Sequence, residues 1–264
     1  MTSTVTAGSS LAVGARAPEH APRPASGAVT VVTGASGGLG ASTLAAAVAA
    51  EFAGQAGTGV LVDLDLDGGG LDVTCGVEHL PGRRWPDFAG VRGAVDADRV
   101  IAGLPQRAGC ALLAAGPSRR QPSAPVPGPG AIADVLGSLI AGGRRVVIDL
   151  PRWRLDLVPD VVDAWLVMSG TRTRELADLD ALLERIAAGP AGATAPLLLA
   201  TAGPAPSAAL IAAIEAHTGV AHLGQVQRSP AVPTAQERGE WPGGRAFRGV
   251  TGPLSDRAWR RGAA

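Results

Sequence analysis

Residues 28–33 read AVTVVT, an unbroken apolar and β-branched run that stops at a turn of glycines, GASGGLG over 34–40. A run so short, with no alternation of polar positions, predicts a strand buried on both faces. The pattern returns as GVLVDLD (59–65), CALLAAG (110–116), RRVVIDL (144–150), AWLVMSG (164–170), PLLLATA (196–202) and VAHLGQV (220–226). Between these runs the apolar spacing becomes helical, predicting helices over 43–54, 130–141, 174–188 and 206–217. Short buried strands alternating with helices predict an α/β fold: a doubly wound, mostly parallel sheet with helices on both faces and right-handed crossovers. Residues 1–27, rich in Ala, Pro, Ser and Gly without a period, predict a disordered arm, and the proline-rich stretch 116–130 a surface loop or insertion. The sheet domain then covers 28–240, with a tail over 241–264.

Composition narrows the function. No apolar run approaches the ~18 residues that span a bilayer, and the first 28 residues lack the basic start and apolar core of a signal peptide. A cytoplasmic protein follows, with Cys75 and Cys110, which have no metal spacing, as ordinary buried thiols. The 23 basic residues balance 23 acidic ones, which argues against a general affinity for nucleic acid. Two absences carry more weight: the chain has no tyrosine and no lysine, so all 23 basic residues are arginine.

The glycine turn, VTGASGGLGAST over 32–43, admits two chemistries. Thr33-Gly34, Gly38 and Gly40, with Asp63 at the end of the next strand, match the fingerprint of a dinucleotide-binding unit and resemble short-chain dehydrogenases. That family's acid–base pair is a tyrosine and a lysine, and neither residue type is present. A non-catalytic NAD(P)-binding relative remains open; an active dehydrogenase does not.

The second chemistry rests on several stretches in order. Ser36-Gly37-Gly38-Leu39-Gly40-Ala41-Ser42-Thr43 is followed by Asp63-Leu64-Asp65, then a glycine turn and Leu71-Asp72-Val73-Thr74-Cys75-Gly76. VVIDLP ends a later strand in Asp149, Leu150 and Pro151; DVVDAWLVM follows at 160–168, and LGQVQRSPAVPTAQERGE at 223–240. Together, over about residues 28–240, these resemble the MinD/ParA/CpaE group of P-loop ATPases, whose loop has the form Lys-Gly-Gly-x-Gly-Lys-Ser/Thr-Thr. The GGxGAST loop is most similar to the CpaE-like branch, which includes actinobacterial septum-site-determining proteins. Many of those carry a receiver-like domain where this chain has residues 1–27.

The resemblance implies ATP and Mg²⁺ as ligands. Amides of Gly37, Gly38, Gly40, Ala41, Ser42 and Thr43 would face the phosphates. Ser42 would ligate Mg²⁺ and Asp149 hold the ion's water shell, while Asp63 and Asp65 take the switch I position, Asp65 placing the attacking water. Ala41 and Ser36 stand where the family has its two lysines. Each lost charged hydrogen bond weakens binding about ten- to a hundredfold, and hydrolysis should be weak or absent; Arg152, Arg154, Arg172 or Arg174 could substitute. The implied role is a positional regulator, in septum placement or a pilus or secretion apparatus, acting as a homodimer with protein partners and no specific nucleic acid. A pseudo-ATPase scaffold that binds no nucleotide is the alternative on the same fold.

Plainer readings stand beside these. Asp63 and Asp65 also suit strand-end carboxylates in solvent, Asp149 a structural one, and Asp67 and Asp72 suit loops or caps. His79, His217 and His222 read as core or surface histidines. Trp85, Trp153 and Trp165 read as packing residues, with Trp153 placed beside the nucleotide switch. Residues 242–264 hold five arginines against one aspartate, with Phe247, Leu254 and Trp259 as apolar anchors. Glycines at 243, 244, 249, 252 and 262 oppose a helix there, which predicts a flexible basic tail and only thin support for peripheral membrane association.

Overall fold

The computed structural model describes residues 28–56, 59–67, 70–116, 125–189 and 195–262. The arm expected over 1–27, and 117–124 of the proline-rich stretch, lie outside them. Eight strands form one sheet: β1 (Ala28–Gly34), β2 (Gly59–Asp63), β3 (Gln106–Arg107), β4 (Cys110–Leu113), β5 (Arg145–Asp149), β6 (Ala164–Ser169), β7 (Leu197–Ala202) and β8 (Ala221–Val226). Their order across the sheet is β3-β4-β2-β5-β1-β6-β7-β8. Every pairing is parallel except that of the two-residue edge strand β3 with β4. The helices are α1 (Ala41–Ala56), α2 (Leu71–Thr74), α3 (Ala97–Ala102), α4 (Pro129–Ala141), α5 (Thr173–Ala187), α6 (Ala208–Thr218), α7 (Ala231–Glu237) and α8 (Arg248–Gly262).

Two apolar cores explain why the strands lack alternation. Val29, Val31, Val60, Val62, Val146 and Ile148 face one core with α4 and α5; Val32, Leu61, Val147 and Leu166 face the other with α1 and α8. Successive side chains leave a strand on opposite faces, so a strand covered on both sides must be apolar throughout. The α1 face is built for close approach: Ala45, Ala46 and Ala49 are fully buried, and a Cβ on Gly59 would stand 2.6 Å from the Ala49 carbonyl.

The carboxyl-terminal segment departs from its expectation. Instead of a flexible tail, residues 248–262 form α8, with Phe247, Val250 and Leu254 buried against the α1 side of the sheet. One glycine that lowers helix propensity, Gly249, serves the packing: a Cβ on Gly224 of β8 would overlap the Gly249 carbonyl, so strand and helix meet backbone to backbone. Tertiary burial outweighs propensity here. The side chains from Arg257 onward, Trp259 among them, lie outside the described part. No described helix is long and apolar enough to cross a membrane.

Candidate functional site

Strand register gathers the candidate residues at one edge of the sheet. Asp149, the last residue of β5, pairs in register with Val32 of β1 and with Asp63, the last of β2. Asp63 and Asp149 therefore end adjacent parallel strands, on the face that Leu61 and Val147 share with α1. The chain leaves β1 for β2 on one side and β5 for β6 on the other, the kind of switch point where α/β sheets open a crevice.

The loop from Ala35 to Gly40 joins β1 to α1. It is tied to the sheet by the Ala35 amide, which donates to the Met168 carbonyl at 2.8 Å, and α1 begins with the Leu44 amide donating to Gly40 at 2.9 Å. Its first glycine is crowded: a Cβ on Gly34 would stand 3.2 Å from the Ala41 Cβ. Gly38 (φ 75°) and Gly40 (φ 91°) need glycine for conformation, since a Cβ on either would meet nothing within 4 Å. Open space thus lies over a turn that leads into the amino end of α1, whose first amides have no helical partner. At Gly37 the nearest group is the Arg152 guanidinium, with Nη1 3.9 Å from the position of a Cβ.

Two side chains of the loop reach elsewhere. The Ser36 hydroxyl donates to Asp178 Oδ2 on α5 at 2.7 Å, and Gln236 of α7 donates to Thr43 Oγ1 at 3.4 Å. Trp241 Nε1 donates to the Ala46 carbonyl at 2.8 Å. The 223–240 passage thereby closes over the start of α1.

The carboxylates divide into distinct tasks. Asp63 is 2% exposed and braces the following turn: Oδ1 accepts the Asp65 amide at 2.8 Å, Oδ2 accepts the Leu71 amide at 3.2 Å, and its carbonyl accepts Trp85 Nε1 at 2.6 Å. The solvent-facing reading does not hold for it. Burial, and then the charge of Asp149, raise its carboxyl well above the usual range, against those two amide bonds. Asp149 is also buried, and the hydroxyl of Ser42, exposed at the start of α1, lies near enough to lower its carboxyl. Burial pushes Asp149 up to about 7 despite Ser42, and the Asp65 charge adds to the rise. Asp65 itself is half-buried, accepts the Asp67 amide at 3.2 Å, and lies close enough to act on both buried partners. Among the described residues no group of three or more His, Cys, Asp or Glu side chains could hold a metal unaided. Ser42 beside Asp149 nevertheless suits Mg²⁺, an ion usually held by one or two protein oxygens together with water and phosphate.

The other candidates separate cleanly. Asp72 is buried in the first turn of α2. Arg154 is occupied by Asp156, at 3.1 and 3.2 Å, and Arg172 and Arg174 stand exposed at the start of α5. Trp85 and Trp165 pack in the core as expected, whereas Trp153 does not: it is 57% exposed, with the Arg152 guanidinium 5.9 Å from its ring centre. Cys75 and Cys110 are free, buried thiols, both pushed upward by burial. His217 meets Asp180 at 3.0 Å on the surface, and His222 meets Thr201, remote from the loop in sequence.

No family model matches the chain. Two curated proteins of Mycobacterium tuberculosis, one from each of two strains and both described as uncharacterised, are 38% identical to it over 138 residues. The match takes in 52% of this chain and spans 37% of the length of those relatives. Among solved structures, a ParA family ATPase from Chlorobium tepidum aligns with a TM-score of 0.65 at 15% identity, covering 89% of this chain and 99% of that one. MinD of Aquifex aeolicus aligns at 0.67 and 16% identity, covering 87% and 97%. The Pyrococcus horikoshii septum site-determining protein MinD, complexed with Mg-ADP, aligns at 0.65 and 18%, covering 88% and 97%. The fold is that of the MinD and ParA ATPases. On that fold, both positions where the sequence resemblance expects lysine, Ser36 and Ala41, carry no charge, while the glycine conformations and the carboxylate edge are in place.

Proposed function

We propose that the chain is a nucleotide-binding positional regulator of the MinD/ParA/CpaE kind, from the CpaE-like branch with a degenerate phosphate loop. The observation that carries this reading is a pair of buried carboxylates, Asp63 and Asp149, ending adjacent parallel strands beside an open glycine loop. Buried carboxylates destabilise a chain at neutral pH unless something cationic arrives to share them, and such groups gather at functional sites. In this reading the amides of Gly37, Gly38, Gly40, Ala41, Ser42 and Thr43 bind phosphate oxygens. Ser42 ligates Mg²⁺, Asp149 orients the ion's water shell, and Asp65 positions a water toward the terminal phosphate. Asp63 holds the 64–71 turn that presents Asp65. Without lysine at 36 or 41, binding is weak and turnover slow or absent, because cations at the phosphates also stabilise the transition state.

The biological role follows the same analogy. Aquifex aeolicus MinD forms a MinC:MinD cell division complex, and a homodimer with protein partners of a division or secretion apparatus is the corresponding assignment here. Its place is the cytoplasm, with contact at the membrane's inner face at most peripheral. Calorimetric titration of the full chain with Mg-ATP, Mg-ADP and NADPH tests the reading. Heat with the adenine nucleotides and none with NADPH is expected. Binding of NADPH alone would overturn it in favour of the dinucleotide alternative, and binding of none would leave the scaffold.

A further inference from the structure

We propose that Arg152 supplies the positive charge that the phosphate loop lacks at Ser36 and Ala41, and binds a nucleotide's polyphosphate from across the loop. The assignment deepens the nucleotide-binding reading and rests on it. Sequence alone left four arginines as equivalent candidates. Three are elsewhere employed or elsewhere placed: Arg154 is held by Asp156 at 3.1 and 3.2 Å, and Arg172 and Arg174 are exposed at the start of α5. Arg152 lies beside the loop, its Nη1 being the nearest group to the Cβ position of Gly37 at 3.9 Å.

Its position is fixed by the sheet rather than by a flexible segment. The Leu150 amide donates to the Val32 carbonyl at 2.9 Å, tying the end of β5 to β1. The Arg154 amide donates to the Pro151 carbonyl at 2.8 Å, closing a tight turn with Arg152 and Trp153 at its centre. Trp153, 57% exposed, serves no core; its ring is the platform over which the guanidinium lies, 5.9 Å from the centroid. Among the described residues Arg152 makes no ion pair. A guanidinium lying over an aromatic ring keeps its fork of N–H donors free for phosphate oxygens.

Charge favours such a cation. Asp63, Asp65 and Asp149 line the strand ends, and Asp178 reaches the loop through Ser36. A polyphosphate entering beside Asp65 and Asp178, and beside Asp149 as it ionises, meets repulsion that backbone amides and one Mg²⁺ only partly offset. Arg152 is the arginine placed beside Gly37.

The experiment is isothermal titration calorimetry of the full chain with Mg-ATP, Mg-ADP and magnesium pyrophosphate, comparing wild type, Arg152→Ala, Arg152→Lys and Arg154→Ala. Arg152→Ala is expected to weaken all three ligands about ten- to a hundredfold, with the melting temperature of the ligand-free chain unchanged. Arg152→Lys restores part of the loss, because the charge returns without the fork. Arg154→Ala stays within about twofold, as its guanidinium is already paired. Tryptophan emission gives a second readout: ligand should change the Trp153 signal in wild type and not in Arg152→Ala. Equal affinity of wild type and Arg152→Ala overturns the assignment and spares the nucleotide-binding reading. Equal weakening by Arg154→Ala also overturns it, pointing to diffuse charge. A wild-type chain that binds neither nucleotide nor pyrophosphate overturns both.

Discussion

On one side of the glycine loop, Asp63 and Asp149 lie buried at the ends of β2 and β5, Asp63 hydrogen-bonded to the turn that follows it and Ser42 near Asp149. On the other side, Ser36 and Ala41 stand where the MinD/ParA resemblance places lysines, and the cation at hand, Arg152, comes from a different turn. The difference follows from how each side is built. The carboxylates occupy register positions of a parallel sheet, so moving them means moving strands. A phosphate-binding cation is the end of a long side chain at the rim, and another side chain can take its place without touching the fold. The Ala41 Cβ already packs on Gly34, so replacing the longer side chain leaves the loop's closure intact.

The largest expected effect tests the buried side. Asp149 is held at about 7, against a model carboxylate value of 3.8, chiefly by burial. Between those values the folded chain binds a proton that the unfolded chain has released. This group's contribution to stability is therefore fully present below about pH 4 and is lost as pH rises through about 7. Asp149→Asn, which stays neutral, should be more stable than wild type by an amount that grows across this window to on the order of 4 kcal/mol. Urea unfolding of both chains from pH 4 to 8 measures it. Parallel pH profiles would mean that Asp149 is not held protonated by its surroundings, and the contrast between the two sides would lose its energetic basis.

The next effect tests the emptied side. Ala41→Lys restores a charge at the helix start, where the Cβ is already accommodated, and should tighten Mg-ATP about ten- to a hundredfold by calorimetry. No gain would show that Arg152 or the amides already meet the phosphates' need.

The same contrast explains what could be read before the structure. Strands β1, β2 and β4–β8 were legible because burial on both faces writes a continuous apolar run, and α1, α4, α5 and α6 because their apolar spacing is helical. The stretch from Val77 to Pro105 carries neither period; its Trp85 and Phe88 are buried from a 3₁₀ turn and irregular chain, which leaves no repeating pattern. Helix α8 was hidden by its glycines and by Pro253, whose cost is set against partners distant in sequence. At the site, the glycine loop, Asp63 and Asp149 were legible as local motifs at strand ends. Asp178 and Gln236 were not, since they meet Ser36 and Thr43 across 142 and 193 residues. No local spacing encodes a contact of that kind.

A smaller effect sits at the junction of the two sides. Ser42→Ala removes the hydroxyl that lowers the Asp149 carboxyl against its burial. The variant should raise the Asp149 pKa further and shift the pH profile of urea unfolding upward, with about 1 kcal/mol at stake. An unchanged profile would separate Ser42 from the buried cluster.

The smallest effect isolates charge from geometry on the cation side. Asp178 Oδ2 accepts the Ser36 hydroxyl at 2.7 Å, so a carboxylate on α5 both anchors the loop and adds a negative charge beside its opening. Asp178→Asn keeps an acceptor for Ser36 and removes the charge. Half-exposed charges are worth about 0.2–1 kcal/mol, so Mg-ATP or pyrophosphate should bind roughly two- to fivefold tighter in the variant. Because the Debye length is about 10 Å at 0.1 M salt and about 3 Å at 1 M, the gain should shrink as salt is added. Ser36→Ala is the companion variant: it breaks the hydrogen bond but leaves the carboxylate, so it should not tighten binding at any salt. If Ser36→Ala tightens binding as Asp178→Asn does, the tether matters by restraining the loop, and the cation side is governed by its mobility rather than by its charge. If neither variant changes affinity, the anchor is scaffolding for β1 and α5, and the electrostatic account of the loop reduces to Arg152.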